Sequence, residues 1–479
     1  MIRLPFFMKR LHPLALLPAL AFAHAAHAAT SAPPNILLVV ADQWRAQALG
    51  YAGDPNVRTP HLDRFERESV NFTQAVSGMP VCTPMRATLL TGQRPQTHGL
   101  FLNDVPLNPA AVTLAKELKT AGYATGMIGK WHIDGHGRSS YIPPERRQGF
   151  DYWRVLECTH AYNNSPYYAD GPEKLTWEGY DAQAQTRDAV RYLRDHAKAA
   201  PARPFFLQLA WGPPHNPYET APANYRALYS ADKIQLRPNV PPSHAVPSRA
   251  ALAGYYAHCT ALDDCFADLL RTLDETGLAA NTIVVFTSDH GDMIGSQAQQ
   301  RKQRPWEESV RIPMLWRLPK SLGIAPRRTP ATLNTEDIMP TLLALCGRPI
   351  PKSVEGLDFS GHLRGGADPS GGATVIRCTS PFGEFTRDNG GKEYRQLRTA
   401  RYSYARDLAG PWLLYDHERD PYELDNLVNK PEHAKLQAEL DALLRKKLAE
   451  QRDEFRPGAD YIAQWGYKVD ARGTVPIRQ

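Results

Sequence analysis

The chain has 479 residues, of which 42% are hydrophobic and 22% charged, and this composition indicates a globular protein with one large and one smaller domain. Its formal net charge is +6, and the first 28 residues carry three basic and no acidic side chains, which leaves +3 (6 − 3) on the remainder. Such a small charge, without a basic run or an aromatic-basic motif, excludes nucleic acid and membrane surfaces as expected partners.

The first 28 residues predict a cleavable secretory signal. Arg3, Lys9 and Arg10 form a basic start, residues 13–23 form a short apolar core, and Ala-His-Ala at 26–28 matches a small-x-small cleavage pattern. The apolar core is too short to span a bilayer. We therefore expect a periplasmic or secreted protein that is cut after residue 28.

Four segments share one design, a continuous apolar run that ends in polar side chains. Such runs predict strands buried on both faces, and helix-like segments at 112–122, 188–199 and 254–277 alternate with them. This alternation predicts an α/β fold with a doubly wound, mostly parallel sheet, whose site lies beyond the carboxyl ends of the strands. The runs are 35–45 with Asp42 and Gln43, 123–132 with Lys130 and His132, 204–217 with His215, and 281–292 with Asp289 and His290.

The stretch GMPVCTPMRATLLTGQRP at 78–95 predicts a helix that starts beside a cysteine. Thr83 suits the N-cap, Pro84 the first helical position and Gly92 the C-terminal end. Cys82 would then lie at a helix N-terminus, where free N–H groups and the helix dipole favour an anion. Arg86, one turn further, adds donors suited to an oxyanion. A small buried cysteine at a helix start is the simpler alternative.

The cysteines do not suggest a phosphatase loop, a metal site or a disulfide framework. A phosphatase loop with a cysteine nucleophile needs an arginine six residues after the cysteine, and Thr88 occupies that position after Cys82. The other cysteines stand at 158, 259, 265, 346 and 378, without metal-like spacing. Because five is an odd number, we expect at most one or two disulfides and allow for none.

The chain changes character towards its C-terminus. Residues 218–250 are rich in proline and predict a long loop, either a lid over the site or a connector. From about residue 371, alternating segments such as TVIRC and YRQLRTARYSYARD predict antiparallel strands, and a leucine-faced helix follows at 433–451. We expect a catalytic α/β domain over 29–370 and a C-terminal α+β subdomain, with an antiparallel sheet, over 371–479.

Five segments resemble, in order, the type I sulfatases of the alkaline-phosphatase superfamily. CTPMRATLLTG at 82–92 matches the C-x-P-x-R signature of that family, and GYATGMIGKWH at 122–132 matches its second signature. SDHGD, KQRPWEESVRIP at 302–313 and LYDHERDPYELDNL at 414–427 follow in the same order. The resemblance covers nearly the whole chain after residue 28.

The resemblance implies a chemistry for the cysteine and its neighbours. In the family a maturation enzyme oxidises this cysteine, here Cys82, to formylglycine, whose hydrate attacks the sulfur of the ester and later expels sulfate. Arg86 would hold the sulfate oxygens. The remaining matched residues are Lys130 and Lys302 as sulfate contacts, His132 as the base of the second half-reaction, and His215 as the acid that protonates the leaving oxygen.

The resemblance also implies a divalent metal held by Asp42, Gln43, Asp289, His290 and the modified Cys82. Oxygen ligands suit Ca²⁺. Many relatives have Asp where Gln43 stands and Asn where His290 stands, and a nitrogen ligand suits Mn²⁺ or another transition metal better. His290 as a substrate contact is the alternative.

The substrate expected from the resemblance is a sulfate ester, on a small molecule or a saccharide. The Asp-Gln pair of the first strand also occurs in choline sulfatases and phosphonate monoester hydrolases, so a phosphonate monoester or a phosphodiester stays open, as does an inactive glycan-binding homologue. The sequence leaves exo or endo action and the oligomeric state undetermined. Candidates for the rim of the substrate pocket are Trp44, Arg45, His98, His160, Asn163, Arg301 and Arg304.

Overall fold

The structure, a computed structural model, describes residues 1–5 and 32–477. The signal predicted for residues 1–28 therefore lies outside the described residues, apart from its first five. Among the residues described, no helix is both long and apolar enough to cross a membrane. The domain boundary expected between residues 370 and 371 stays a prediction.

A large mixed sheet and a small antiparallel sheet form the scaffold, with helices packed on them. Each of the four apolar runs forms a strand, as predicted. The strands are β1 (Asn35–Asp42), β2 (Val70–Phe72), β3 (Ala124–Lys130), β4 (Tyr152–Leu156), β5 (Pro166–Tyr168), β6 (Lys174–Thr176), β7 (Phe205–Pro214), β8 (Thr282–Ser288), β9 (Met314–Arg317), β10 (Arg327–Thr329), β11 (Ala373–Cys378), β12 (Tyr394–Thr399), β13 (Tyr402–Asp407) and β14 (Gly410–Asp416).

The large sheet has the strand order β10-β2-β9-β8-β1-β7-β3-β4-β5-β6. Its five middle strands, β8-β1-β7-β3-β4, are parallel, and the strands at both sides add antiparallel pairs. In β1, Ile36 and Leu38 pack into one core while Leu37 and Val39 pack into the other. A strand covered on both faces needs apolar residues at every position, which explains the continuous runs. The predicted fold class is confirmed.

The helices pack on both sides of the large sheet. The predicted helices at 188–199 and 254–277 are longer at their N-terminal ends, at Asp181–Ala199 and Ala245–Glu275. The helices are α1 (Pro60–Arg67), α2 (Cys82–Thr91), α3 (Pro95–His98), α4 (Leu114–Thr120), α5 (Asp181–Ala199), α6 (Ala223–Arg226), α7 (Ala245–Glu275), α8 (Glu307–Val310), α9 (Ile338–Leu345), α10 (Ser360–Leu363), α11 (Ala434–Glu450) and α12 (Gly458–Trp465).

The proline-rich segment is shorter and more structured than the sequence predicts. The pattern predicts a loop as far as residue 250, but α7 already begins at Ala245. Pro247 lies in the first turn of this helix, where the missing N–H of a proline removes no needed donor. The segment contains short helical turns, and Tyr218, Tyr225 and Ile234 are buried in the same core as α7. It therefore packs against α7 along part of its length.

Helix α2 begins one residue before the predicted cap. Cys82 is its first residue, and Val81 precedes it without a side-chain cap. The Thr83 hydroxyl donates instead to the carbonyl oxygen of His132 at 2.7 Å, which ties the start of α2 to the end of β3. Gly92 ends the helix in the left-handed region at φ 61°, as expected. Every residue of α2 is buried.

Strands β11 to β14 form an antiparallel sheet in sequence order, as predicted for the C-terminal region. Helix α11 covers it, and Leu444 packs with Val375, Leu397 and Leu414 in one core. All six cysteines lie in the described part of the chain and are free and buried, so none of the one or two disulfides that the sequence analysis allowed for is present.

Gly129 allows β3 to approach β7 closely enough to present Lys130 to the site. Its φ is +101°, and a Cβ at this position would lie 2.1 Å from the carbonyl oxygen of Ala210. We expect Gly129→Ala to lower the unfolding midpoint by more than Gly122→Ala does. Gly122 has a similar φ of +90° but no atom within 4 Å of the added Cβ, so it isolates the backbone strain from the clash.

The measurement is thermal unfolding followed by circular dichroism. The clash with a neighbouring backbone should cost about 1–3 kcal/mol beyond the shared strain. Equal losses for the two variants would contradict a close approach between β3 and β7.

Candidate active site

The carboxyl ends of four neighbouring parallel strands meet at one edge of the large sheet. Asp42 ends β1, Lys130 ends β3, His215 follows β7, and Asp289 follows β8. The start of α2 brings Cys82 to the same place. Because β8, β1, β7 and β3 are adjacent and parallel, their carboxyl ends must lie together, so residues distant in sequence form one cluster.

Cys82 is surrounded by charged and polar groups although it is only 1% exposed. Its Sγ lies 3.2 Å from His290 Nε2, 3.5 Å from Lys302 Nζ and 3.7 Å from Asp42 Oδ1. Burial and Asp42 raise the pKa of the thiol, but Lys130, Lys302 and His290 lower it by a larger amount. The pKa therefore lies well below its usual value. The helix start therefore holds a reactive sulfur in a positive environment.

Arg86 and Lys130 bind the outer oxygens of the two aspartates. Arg86 donates to Asp42 Oδ2 at 3.0 Å and to Asp289 Oδ2 at 3.1 Å, and Lys130 Nζ donates to Asp42 Oδ2 at 2.6 Å. Burial raises the pKa of Asp42, but Lys130 brings it well below its usual range. Burial and the nearby Asp42 raise the pKa of Asp289 to about 6. The two carboxylates thus share a site that favours a cation.

The second oxygens of these aspartates face Cys82 and His290. His290 Nε2 lies 3.8 Å from Asp42 Oδ1 and 3.6 Å from Asp289 Oδ1. One ligand atom from each of Asp42, Cys82, Asp289 and His290 falls within 4.8 Å of the others. The other ring nitrogen of His290 lies 2.9 Å from the carbonyl oxygen of Gly291, which can only accept, so a neutral His290 carries its free lone pair on Nε2. This donor set fits a divalent metal.

Gln43 follows Asp42 in the left-handed region, at φ 68°. Its side-chain oxygen accepts from Lys302 Nζ at 2.8 Å, and its amide nitrogen donates to Asp292 Oδ2 at 2.5 Å. Its backbone N–H donates to Asp289 Oδ1 at 2.9 Å. Asp292 was not among the predicted site residues, although it stands in the same SDHGD segment as Asp289.

His132 is held by an acid that the sequence analysis missed. It has φ 60°, is 2% exposed, and its Nε2 lies 3.3 Å from Asp104 Oδ1. Arg138 donates to both oxygens of Asp104, at 2.8 and 2.7 Å. Burial lowers the pKa of His132, but Cys158 and Asp104 raise it well above its usual value. Asp104 lies in a loop with no local pattern that distinguishes it.

His215 and Lys302 form a close pair. Lys302 Nζ lies 2.7 Å from His215 Nε2, and His215 Nδ1 lies 2.8 Å from the carbonyl oxygen of Asn216. The carbonyl oxygen can only accept, so Nδ1 carries the ring proton and donates to it. The ammonium group can only donate, so Lys302 donates to Nε2. Burial and Lys302 hold the pKa of His215 well below its usual value. His160 stacks on this ring at 4.7 Å.

Three of the predicted rim residues lie inside the protein. Trp44 is fully buried, and its indole N–H donates to the carbonyl oxygen of Ala48 at 2.9 Å. Arg45 is 1% exposed and contacts tyrosines of α7. His98 is buried beside Thr88 at 3.0 Å. Apolar surroundings and internal partners, which the sequence pattern did not indicate, keep these side chains away from a rim.

Three of the other four rim candidates are exposed or partly exposed, and the fourth supports the site. His160 and Asn163 are exposed, and His160 lies over His215. Arg301 is partly exposed. Arg304 is buried and donates to the carbonyl oxygen of Lys302, so it supports the Lys302 backbone.

Two family models match the chain. The model described as Sulfatase matches residues 34–348, and the model described as N-sulphoglucosamine sulphohydrolase, C-terminal, matches residues 299–452. The chain belongs to the sulfatase family. It is therefore a sulfuric ester hydrolase, and it shares the alkaline-phosphatase-like fold of its structural neighbours.

Relatives of known name match along most of this sulfatase. An ulvan-active sulfatase from Formosa agariphila is 46% identical and the match covers 91% of this chain and 84% of the relative. An endo-4-O-sulfatase from Bacteroides thetaiotaomicron is 31% identical, with 86% and 92% covered. The crystal structure of the Bacteroides fragilis protein yidJ matches with a TM-score of 0.79 and 30% identity, with 90% and 98% covered.

Asp104→Asn tests the acid that faces His132. The raised pKa means that protonated His132 stabilises the fold. This contribution is complete below about pH 6.5, the unfolded-state value, and is lost as the pH rises through the higher folded-state pKa. We expect the pKa of His132, followed by ¹³C-histidine NMR, to fall in Asp104→Asn.

The matched control is Asp151→Asn. Asp151 is also paired with a cation, Lys119, but on the surface, where it is 52% exposed. The Asp151→Asn substitution should leave the pKa of His132 unchanged. An unchanged titration in Asp104→Asn would show that Asp104 does not set the protonation state of His132.

Proposed function

We propose that this sulfatase hydrolyses a sulfate ester on a carbohydrate, with Cys82 converted to formylglycine and a divalent metal beside it. The observation that supports this most is the convergence on one buried sulfur of His290, Lys302 and Asp42, all within 3.7 Å. No simpler role for a cysteine at a helix start needs this set of neighbours. We also propose a periplasmic or secreted location and maturation by a separate formylglycine-generating enzyme.

Cys82 is the position at which an aldehyde is most useful. As a hydrate, a formylglycine supplies one hydroxyl to attack sulfur and a second to release the sulfate afterwards. The surrounding chain binds the sulfate: Arg86 and Lys130 are already aligned by Asp42, and Lys302 lies on the other side of the sulfur. These cations stabilise charge that develops on the sulfate oxygens.

The metal would be held by Asp42, Gln43, Asp289 and His290. Two carboxylate oxygens and an amide oxygen suit Ca²⁺, whereas the imidazole nitrogen favours Mn²⁺ or a similar ion. When bound, the ion would orient the sulfate and make a nearby hydroxyl more acidic. Two buried carboxylates facing one another support a cation at this place, because burial and Asp42 raise the pKa of Asp289.

Two histidines of the site are proposed to move protons. His132, with Asp104 behind it, is proposed as the base that takes a proton when sulfate is released; because its pKa is raised, the deprotonated form that can serve as the base becomes more populated as the pH rises. His215 is neutral and its Nε2 accepts from the Lys302 ammonium group at 2.7 Å, so the proton that this pair can give up is carried by Lys302 Nζ. We assign protonation of the leaving oxygen to this pair, with His215 nearest the partly open His160 side.

A saccharide is the proposed substrate because two relatives that match along most of the chain are named as an ulvan-active sulfatase and an endo-4-O-sulfatase. The exposed side chains of His160 and Asn163 and the partly exposed side chain of Arg301 would offer it polar and cationic contacts. A phosphonate monoester or phosphodiester is the second candidate, since Gln43 and His290 depart from the common sulfatase pattern.

Relative kcat/KM on matched sulfate and phosphate esters of one alcohol decides between the two substrates. We expect the sulfate ester to be preferred, and desulfation of defined sulfated saccharides should then identify the natural substrate class. A preference for the phosphorus ester would overturn the sulfatase assignment of the site. Complete inactivity of mature enzyme on all of them would favour a glycan-binding role.

The formylglycine proposal predicts that Cys82 lacks sulfur in protein matured in its native host. Mass spectrometry of the peptide around residue 82 should show the aldehyde. Cys82→Ser should fold normally but lose turnover, because a serine has no second hydroxyl with which to release sulfate. A fully active preparation in which every Cys82 is an unmodified thiol would contradict the proposal.

The leaving-group proposal predicts a substrate-dependent effect of His215→Ala. A sugar alkoxide needs a proton to leave, whereas a nitrophenolate does not, and general acid catalysis is typically worth ~10²–10⁴-fold. We expect kcat/KM to fall by about that factor on a sugar sulfate and much less on a nitrophenyl sulfate. His132→Ala is the comparison, and it should slow turnover of both substrates alike. Equal losses on both substrates for His215→Ala would remove it from the acid role.

A further inference from the structure

Asp292 lies behind the metal site, fully buried, and it is not one of the groups that converge on Cys82. Its Oδ2 accepts from the Gln43 amide at 2.5 Å and from the Tyr218 hydroxyl. Its Oδ1 accepts from the backbone N–H groups of Ile294 at 3.2 Å and Arg301 at 3.0 Å. Four donors therefore point at this carboxylate, which acts only as an acceptor.

An acceptor-only partner decides which end of an amide faces it. The oxygen and nitrogen of a glutamine side chain have nearly the same shape, so hydrogen-bond partners determine the orientation. Asp292 requires the Gln43 nitrogen, and on the opposite side Lys302 Nζ, which can only donate, lies 2.8 Å from the Gln43 oxygen. The two neighbours agree, and both turn the oxygen towards the Cys82 side of the site.

The backbone of Gln43 is fixed as well. Its N–H donates to Asp289 Oδ1 at 2.9 Å, and its carbonyl oxygen accepts from the Tyr255 hydroxyl at 2.8 Å. With the main chain held and φ at 68°, the side chain has one arrangement in which all of its polar atoms are paired. Asp292 pairs the amide nitrogen in this arrangement, as Lys302 pairs the amide oxygen.

We infer that Asp292 is a positioning residue for the metal site, which holds Gln43 with its oxygen facing the metal. It also places a negative charge next to the amide. That charge polarises the amide and partly replaces the carboxylate that many relatives carry at the position of Gln43. The inference deepens the proposed function and rests on it, since it assumes that Gln43 ligates a metal.

The test is the metal affinity of the purified protein, measured by isothermal titration calorimetry with Mn²⁺ and with Ca²⁺. Partners behind a metal ligand typically change metal affinity by about 10–100-fold, and we expect Asp292→Asn to weaken binding by about that factor. In a Gln43→Ala background the same change should have little further effect, because there is no amide left to orient.

The outcomes distinguish orientation of the amide from a purely electrostatic role of Asp292. If Asp292→Asn lowers metal affinity equally in the Gln43→Ala background, Asp292 acts through its charge alone. If Asp292→Asn does not lower metal affinity in protein that retains Gln43, Asp292 does not position the amide. Either result overturns the inference. If wild type binds metal and Asp289→Asn abolishes binding, the proposed metal site stands whatever Asp292→Asn does. If wild type binds no metal, the metal part of the proposed function fails, and the inference with it.

Two further variants control for folding. Asp337→Asn removes another buried carboxylate that accepts two backbone N–H groups, those of Leu357 and Asn334, at the start of α9, and it should leave metal affinity unchanged. Asp292→Ser carries a hydroxyl that both donates and accepts, so it does not dictate the amide orientation. It should weaken metal binding in the same Gln43-dependent way, which keeps the inference testable if Asp292→Asn does not fold.

Discussion

The Asp42 carboxylate is the interaction on which the rest of the site depends. One oxygen accepts from Arg86 and Lys130, and the other faces Cys82 and His290. A single side chain at the end of the central strand β1 thus connects helix α2, strand β3 and the loop after β8. Because it is fully buried, its charge is compensated only by these partners, and breaking such a buried pair typically costs about 3–5 kcal/mol.

The balance of charge around Asp42 suits an anionic group. Arg86 and Lys130 are paired with the carboxylates of Asp42 and Asp289, whereas Lys302 contacts the neutral Gln43 and His215. Three cations therefore face two carboxylates, and a bound metal would add further positive charge. A sulfate group that enters this buried place meets preorganised donors, and little solvent competes with them.

Departures from the common family pattern are compensated nearby. Gln43 lacks the charge of an aspartate, and Asp292 carries a buried negative charge directly behind its amide. His290 brings a nitrogen, and its Nδ1 contact with a backbone carbonyl leaves Nε2 free to face the carboxylates. Both positions at which this sulfatase departs from many relatives therefore have internal hydrogen-bond partners that orient the side chain.

The sequence by itself determined the elements and the residues that end them. Continuous apolar runs of this length, rich in β-branched and aromatic residues, favoured strands covered on both faces, and their polar ends pointed to Asp42, Lys130, His215 and Asp289. Gly92 ended α2 as predicted because its left-handed backbone suits glycine. These features could be predicted because each depends on the local chain alone.

Only the tertiary structure decided which side chains serve the site from a distance. Asp104 contacts His132 and Asp292 contacts Gln43, each across separate loops. No local spacing marks Asp104, and the SDHGD segment does not by itself show that Asp292 faces Gln43. Conversely, Trp44 and Arg45 follow the first site residues directly in sequence but turn into the core. The physical reason is that the direction of a side chain after a strand end depends on backbone turns, such as φ 68° at Gln43, and on the partners that packing brings from elsewhere in the chain.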